Sequence, residues 1–104
     1  MADRSALRVA LHKDAIAEAG AAREWYEARS AATAEAFMEE LDRVVDRIGD
    51  YPEGGAPYFE GTRRYLMQRF PFSVVYRKKR RTYEIVAVAH GRRKPRYWKN
   101  RVEN

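Results

Sequence analysis

The chain has 104 residues, of which 45% are hydrophobic and 35% are charged, and it contains no cysteine. This length predicts one domain over residues 1–104, the charged fraction argues against a membrane span, and the lack of cysteine excludes disulfides and thiolate metal sites. The formal net charge of +6 is unevenly divided, because residues 1–60 carry −6 and residues 61–104 carry +12, and such a basic half favours nucleic acid or an acidic protein as partner.

The N-terminal residues contain no uninterrupted apolar segment of signal-peptide length, so we expect a cytoplasmic protein. Ala6 to His12 alternates between apolar and polar residues, which predicts a first strand. Asp14 marks the start of a helix, where a carboxylate suits the positive end of the helix dipole. This helix is expected to run from Ala15 to about Arg29, with one face formed by Ala15, Ala19, Ala22 and Tyr26.

A second helix is predicted from about Ala31 to Ile48, after a break at Ser30. Its apolar residues repeat at the spacing of a helix face packed on a core, namely Ala34, Phe37, Leu41, Val44 and Ile48. Gly49 is a natural C-cap, and Pro52 in the following loop, residues 50–57, prevents continuation of the helix. Because the connection between the helices is short, they should form an antiparallel hairpin.

Three consecutive strands are predicted next, from Arg63 to Phe70, from Phe72 to Arg77 and from Thr82 to His90. The four residues that join the last two strands, 78–81, are all Lys or Arg and form a charged turn. The third strand is apolar on both faces from Ile85 to Ala89. Such a strand is expected in the middle of a sheet, with cover on at least part of both faces.

The predicted order of elements is therefore β-α-α-β-β-β. The helical hairpin should pack on one face of a small, largely antiparallel sheet, which is an α+β architecture. The opposite face, near the ends of the strands, offers space for a cleft. The segment Arg92 to Arg101 is charged and lies outside the strand pattern, so we expect the fold to survive its removal.

Three stretches resemble the RelE/ParE superfamily of toxins from bacterial type II toxin–antitoxin systems. They are FPFSVVYR at 70–77, EIVAVAHGRR at 84–93, and the helical pair with Trp25-Tyr26 and Ala36-Phe37. The HGRR ending resembles the ParE or plasmid-stabilisation side of the superfamily. The resemblance implies a toxin that inhibits bacterial growth and an antitoxin whose acidic, amphipathic C-terminal segment folds on binding and wraps it.

The residue types in the basic half exclude some kinds of catalysis and permit one. Glu84 and Glu103 are its only carboxylates, too few for the acidic clusters that hold Mg²⁺ in nucleases, and no phosphate-binding glycine loop is present, so we expect neither metal nor cofactor. Metal-free RNA cleavage remains open, because it needs only an acid, a base and fixed cations. The candidate catalytic residues are His90 as acid or base, Tyr97 as a proton donor if Arg93 or Arg96 lowers its pKa, and Arg77 and Arg93 as phosphate clamps.

Each of these residues also has a purely structural interpretation. His90 ends a buried strand and would then hydrogen-bond a backbone group. Arg77 would pair with Glu84 at the sheet edge. Tyr97 and Trp98 would pack the tail back on the core.

Three functions therefore stay open from the sequence. The resemblance implies a ParE-like inhibitor that binds DNA gyrase, or a RelE-like ribosome-dependent mRNA endonuclease. A nontoxic basic binding module of the same fold is the third. In each case the residues expected to bind the target or nucleic acid are Arg64, Arg69, Arg77, Arg92, Arg93, Arg96, Tyr97 and Trp98.

Overall fold

The structure, a computed structural model, describes residues 8–103. The first strand, β1, covers Arg8–Leu11, and the Ala6 and Leu7 of the predicted strand lie outside the described residues. Helix α1 covers Lys13–Glu27, so it begins one residue before Asp14 and ends two residues before Arg29. Within residues 8–103, neither helix combines the length and apolar character needed to cross a membrane.

Helix α1 is capped by a residue that the sequence pattern did not single out. His12 is the N-cap, and its Nδ1 accepts a hydrogen bond from the backbone N–H of Asp14 at 3.0 Å. The predicted inner face of the helix is buried at Ala15, Ala19 and Ala22. These small side chains allow the helix backbone to lie close to its neighbours.

Helix α2 covers Ala31–Asp50 and is longer than predicted. Ser30 is its N-cap, and the Ser30 hydroxyl accepts a hydrogen bond from the Thr33 N–H at 3.2 Å. Gly49 is not the C-cap but lies inside the last turn, and Tyr51 caps the helix through its N–H to the Arg47 carbonyl at 2.7 Å. The helix extends two residues past Ile48, which is fully buried and holds the end of the helix on the core.

The sheet has five strands in the order β1-β5-β4-β3-β2, with β1 parallel to β5 and every other pair antiparallel. A strand of two residues, β2 (Ala56–Pro57), lies in the segment predicted to be a loop, where it pairs with the start of β3. Strand β3 covers Arg63–Leu66 and ends four residues earlier than predicted. Strand β4 covers Phe72–Lys79, two residues more than predicted, and β5 covers Thr82–His90 as predicted.

Strand β3 ends where the chain turns back into β4, with Leu66 paired with Ser73 and the Met67 N–H donating to the Phe72 carbonyl at 2.9 Å. A buried carboxylate binds the turn that follows. Glu40 on α2 is 5% exposed and accepts hydrogen bonds from the backbone N–H groups of Gln68 and Arg69. A buried charge of this kind is tolerated because backbone donors satisfy it. Glu40 thus holds the turn between β3 and β4 to helix α2.

Both faces of the sheet are covered, as the apolar pattern of β5 predicted. The helices cover one face with an aromatic cluster in which the ring of Phe37 lies 5.3–5.4 Å from those of Tyr26, Phe70 and Phe72. The C-terminal segment, residues 91–103, covers part of the other face. The α+β architecture with a helical hairpin on a largely antiparallel sheet is thus confirmed.

Replacement of Gly20 by alanine should raise the free energy of unfolding by about 1 kcal/mol, because glycine lowers helix stability. Gly20 lies inside α1, and a Cβ atom there would meet nothing within 4 Å. Urea unfolding measures the change. The matched control is Gly55→Ala, whose Cβ would lie 2.9 Å from the Arg64 carbonyl oxygen and should destabilise the fold. Equal stability of Gly20→Ala and the wild type would contradict the prediction.

Candidate functional site

The C-terminal segment is fixed against the sheet by a tryptophan. Trp98 is 1% exposed and packs with Val75, Val86 and Ala87 on the face opposite the helices. This packing agrees with the structural interpretation of Trp98 and argues against the expectation that the fold survives removal of residues 92–101. Because the segment is held in place, its basic residues lie beside the ends of the strands in a defined arrangement.

A cleft of ≈ 170 Å³ opens between this segment and the ends of β3, β4 and β5. We call it the basic cleft, because its lining includes Arg64, Arg93, Lys94 and His90. The remaining lining residues are Tyr58, Ser73, Val75, Ala89, Gly91, Pro95, Tyr97 and Trp98. The cleft thus combines an apolar floor with a cationic margin.

Two guanidinium groups at the margin are held by aromatic rings. The Arg64 guanidinium lies 4.2 Å from the centroid of the Tyr58 ring, and that of Arg93 lies 3.7 Å from the Tyr97 ring. A cation–π contact positions a guanidinium without neutralising its charge. Neither arginine forms an ion pair with any of the residues 8–103, so both charges are available to an anionic group.

His90 lies at the end of β5 and serves the local backbone. Its Nδ1 accepts a hydrogen bond from the Arg92 N–H at 3.0 Å, and its ring makes an edge contact with Phe72 at 5.0 Å. Nδ1 is thus engaged with the backbone of the turn that follows β5. The structural interpretation of His90 agrees with this geometry.

Tyr97 is held by a carboxylate from α1. Its hydroxyl donates a hydrogen bond to Glu18 at 2.8 Å. Burial, and then the hydrogen bond and charge of Glu18, raise the pKa of Tyr97 above its ordinary value, while Arg101 and Arg93 lower it by less. The pKa thus moves opposite to the direction expected for a tyrosine activated by neighbouring arginines.

The other candidate residues do not meet in the basic cleft. Arg77 Nε lies 3.0 Å from Glu84 Oε1, and its Nη1 donates to the Val102 carbonyl at 3.3 Å. Arg69 lines a groove on the helix side of the sheet. Arg96 pairs with Glu60, and Arg92 is exposed. The structure therefore brings together Arg64, Arg93, His90, Tyr97 and Trp98 from the predicted set.

Several residues of the site were missed from the sequence. Tyr58, Ser73 and Lys94 line the basic cleft, and Glu18 holds Tyr97 in place. Ser73 precedes the buried Val74 in β4, so the alternation of a strand predicts that Ser73 faces the opposite side of the sheet from Val74. Nothing local to Tyr58 or Glu18 indicates the cleft, because both reach it from distant parts of the chain.

The arrangement is suited to binding an anion beside an apolar surface. Within residues 8–103 no group of three or more His, Cys, Asp or Glu side chains could hold a metal ion. The two cations at the margin match a carboxylate or phosphate in charge, and the guanidinium fork binds either group through two hydrogen bonds.

Comparison with known proteins gives a match to one family model and matches to solved structures. A family model described as the ParE toxin of the type II toxin–antitoxin system, parDE, matches residues 9–95. A solved structure titled "Chromosomal ParDE TA system from P. aeruginosa" is similar with a TM-score of 0.72 and 19% sequence identity, covering 82% of this chain and 96% of that chain. This structural similarity concerns the fold. No curated protein matches this chain.

Proposed function

Because this chain belongs to the ParE toxin family of type II toxin–antitoxin systems, we propose that it stops bacterial growth by binding DNA gyrase through the basic cleft. The observation that carries the proposal is the pair of unneutralised guanidinium groups, Arg64 and Arg93, at the margin of a cleft with an apolar floor. Charged margins around an apolar centre are typical of protein interfaces. The single domain over residues 1–104 acts in this proposal by occupying its target, without a chemical step.

The engagement of the candidate catalytic groups supports binding over catalysis. His90 Nδ1 is occupied by a backbone N–H, the Tyr97 hydroxyl donates to Glu18, and Arg77 is paired with Glu84. An mRNA endonuclease needs an acid and a base free to exchange protons with substrate. The contacts of Tyr97 and Arg77 would first have to break for RNA cleavage, and His90 would have only Nε2 for proton exchange, so we rank the endonuclease second.

The toxin's cognate antitoxin is the other partner in this proposal. Its acidic, amphipathic C-terminal segment would cover the basic cleft, with complementary charge fixing the register and apolar anchors supplying affinity. Arg64, Arg69, Arg77 and Arg93 are among the arginines that the sequence predicted to bind the target or nucleic acid. Since Arg77 is already paired and Arg69 lies on the helix side, we propose Arg64 and Arg93 as the contacts, together with Lys94.

The double variant Arg64→Glu/Arg93→Glu should lose growth arrest and gyrase inhibition together. Each charge-assisted contact is worth about 1.5–3 kcal/mol, so the concentration that inhibits DNA supercoiling by purified gyrase should rise at least about 100-fold. The variant should also bind antitoxin more weakly in calorimetry. The matched control is Glu39→Lys/Asp46→Lys on the exposed surface of α2, which changes the charge by the same magnitude and should inhibit like the wild type.

The same experiment separates the alternatives. Growth arrest with active gyrase and with mRNA cut in translating ribosomes would replace the proposal with the endonuclease. Normal growth at a high level of folded protein would leave a nontoxic binding module. Loss of inhibition in the α2 control, with the cleft variant still active, would move the interface to the helical hairpin.

A further inference from the structure

A second concentration of positive charge lies at the tip of the β4–β5 hairpin. Arg80 and Arg81 form the turn, Lys79 ends β4, and Arg8 of β1 lies opposite Thr82 in the parallel register. We call Arg8, Lys79, Arg80 and Arg81 the hairpin-tip patch. The last three line an open hollow of ≈ 760 Å³, whose other lining residues are Ala10, Thr82 and Glu84.

Most of the charge in this patch is uncompensated. Toward residues 8–103, the side chains of Arg8, Arg80 and Arg81 form neither ion pairs nor hydrogen bonds, and all three residues are exposed. Lys79 Nζ lies 3.8 Å from Glu84, but that carboxylate is already paired with Arg77 at 3.0 Å. Among the residues that line the hollow, one carboxylate, Glu84, thus faces three cations, Lys79, Arg80 and Arg81.

The backbone conformation of Arg80 is unfavourable for an arginine, which suggests that its side chain serves a function. Arg80 has φ +59°, a left-handed conformation that glycine, asparagine and aspartate adopt with less strain. An L residue with a Cβ at such a position costs about 1–2 kcal/mol. Strain of this kind is often found where the side chain serves a function.

The chemistry of the patch fits a phosphate backbone better than an acidic protein. The large apolar side chains that are exposed in residues 8–103 lie elsewhere, on α1, after α2, in the turn before β3 and on β3, namely Ile16, Trp25, Tyr51, Phe59 and Leu66. The residues that dominate protein interfaces are enriched in Trp, Tyr and Arg and lie in desolvated pockets, and the patch offers arginines without an aromatic or a pocket that excludes water. Contacts to phosphates need only cations, because counterion release supplies the affinity.

We propose that the hairpin-tip patch binds the phosphodiester backbone of nucleic acid, without reading its sequence. The patch lies at the Thr82 end of β5, whereas the basic cleft lies at the His90 end. At about 3.3 Å per residue the two ends are roughly 25 Å apart. The inference is therefore independent of the proposed gyrase contact, and one molecule can engage both sites.

The test compares two double variants that each lose two positive charges. Arg80→Gly/Arg81→Gln removes charge from the tip, and the glycine removes the strain at position 80, so the variant should fold. Arg23→Gln/Arg43→Gln removes exposed charge from the two helices. Fluorescence anisotropy with a labelled 20-base-pair DNA duplex and with a single-stranded RNA, at several salt concentrations, gives the affinity and its salt dependence.

The logarithm of the association constant decreases linearly with the logarithm of the salt concentration. For the tip variant we expect this slope to become shallower by about 1.8 with the duplex and by about 1.4 with the single strand. The helix variant should keep the wild-type slope. An unchanged slope in the tip variant would overturn the proposal. The proposal would also be overturned if the wild type bound neither the duplex nor the single-stranded RNA at about 50 mM salt. That result would indicate that the patch binds an acidic protein. Loss of the slope in Arg64→Glu/Arg93→Glu alone would assign the phosphate contacts to the basic cleft and equally overturn it.

Discussion

Replacement of Trp98 by alanine should lower the free energy of unfolding by about 3–5 kcal/mol, the range found for removal of large aromatic residues from cores. The indole is 1% exposed and is the largest side chain in the cluster that contains Val75, Val86 and Ala87. Urea unfolding followed by circular dichroism measures the loss. The control is Trp25→Ala, because Trp25 is 55% exposed and its main contact is the stacked guanidinium of Arg29 at 3.4 Å. That variant should lose about 1 kcal/mol or less.

The same contacts predict the result of a truncation after Gly91. The shortened chain lacks Trp98 and leaves the apolar surface of Val75 and Val86 open to water. Since a domain of this size is stable by about 5–15 kcal/mol in total, we expect a weakened or non-cooperative transition. Loss of toxicity on truncation would then report on folding as much as on the binding site. A cooperative transition at the wild-type midpoint would show that the C-terminal segment is not part of the core.

The order of the elements and the fold class were predictable because both depend on local periodicity. The apolar spacing of α2, from Ala34 to Ile48, and the unbroken apolar run of β5 each define which faces are buried. A strand that is apolar on both faces requires cover on both faces. The structure supplies that cover with the helices on one side and Trp98 on the other.

The ends of elements were less predictable where a distant residue decides them. Strand β3 stops at Leu66 because the chain turns back there, with Leu66 paired with Ser73 of β4. Glu40, 28 residues away from Gln68, accepts the backbone N–H groups of that turn. Helix α2 passes Gly49 because Ile48 is buried. Sequence windows contain neither contact, so propensity alone placed the strand end too late and the helix end too early.

A β-bulge explains part of the remaining difference in the site. Val75 pairs with Ala87 and Tyr76 pairs with Ile85, so Val86 is an extra residue on β5. Val86 and Ala87 consequently both face Trp98. Simple alternation along β5 assigns them to opposite faces. The sequence therefore identified the arginines of the basic half but not which of them share a cleft.

The edge of β5 shows how α1 and the C-terminal segment are joined. Strand β1 ends at Leu11, which pairs with Ile85, so the next part of this edge has no neighbouring strand. Glu18 on α1 accepts the Val88 N–H at 2.9 Å, and Arg101 donates to the Val86 carbonyl at 2.9 Å. The two side chains also pair with each other, with Arg101 Nη2 at 2.8 Å from Glu18 Oε2. Side chains thus replace the missing strand, and the same contacts fasten the segment that carries Trp98.

Replacement of Glu18 by alanine should therefore lower the free energy of unfolding by about 1–3 kcal/mol, the cost of leaving a buried hydrogen-bond donor without its acceptor. The ion pair with Arg101 is partly buried, and Arg101 keeps Asp14 as a weaker partner at 3.6 Å. The Arg101 side chain is 15% exposed and would lose its closest carboxylate. The Val88 N–H would lose its acceptor as well. Glu18→Gln keeps an acceptor for Val88 and should cost less. Glu24→Ala, on the exposed surface of α1, should stay within about 0.5 kcal/mol of the wild type.

A spectroscopic titration distinguishes loss of this network from a general loss of stability. The hydrogen bond and the charge of Glu18 both raise the pKa of Tyr97, so in Glu18→Ala one tyrosine should ionise at lower pH than in the wild type. Absorbance of tyrosinate in the folded protein measures this, and Glu24→Ala should leave the curve unchanged. Wild-type stability together with a wild-type tyrosine titration in Glu18→Ala would contradict the prediction, because it would mean that Glu18 does not hold the C-terminal segment to α1.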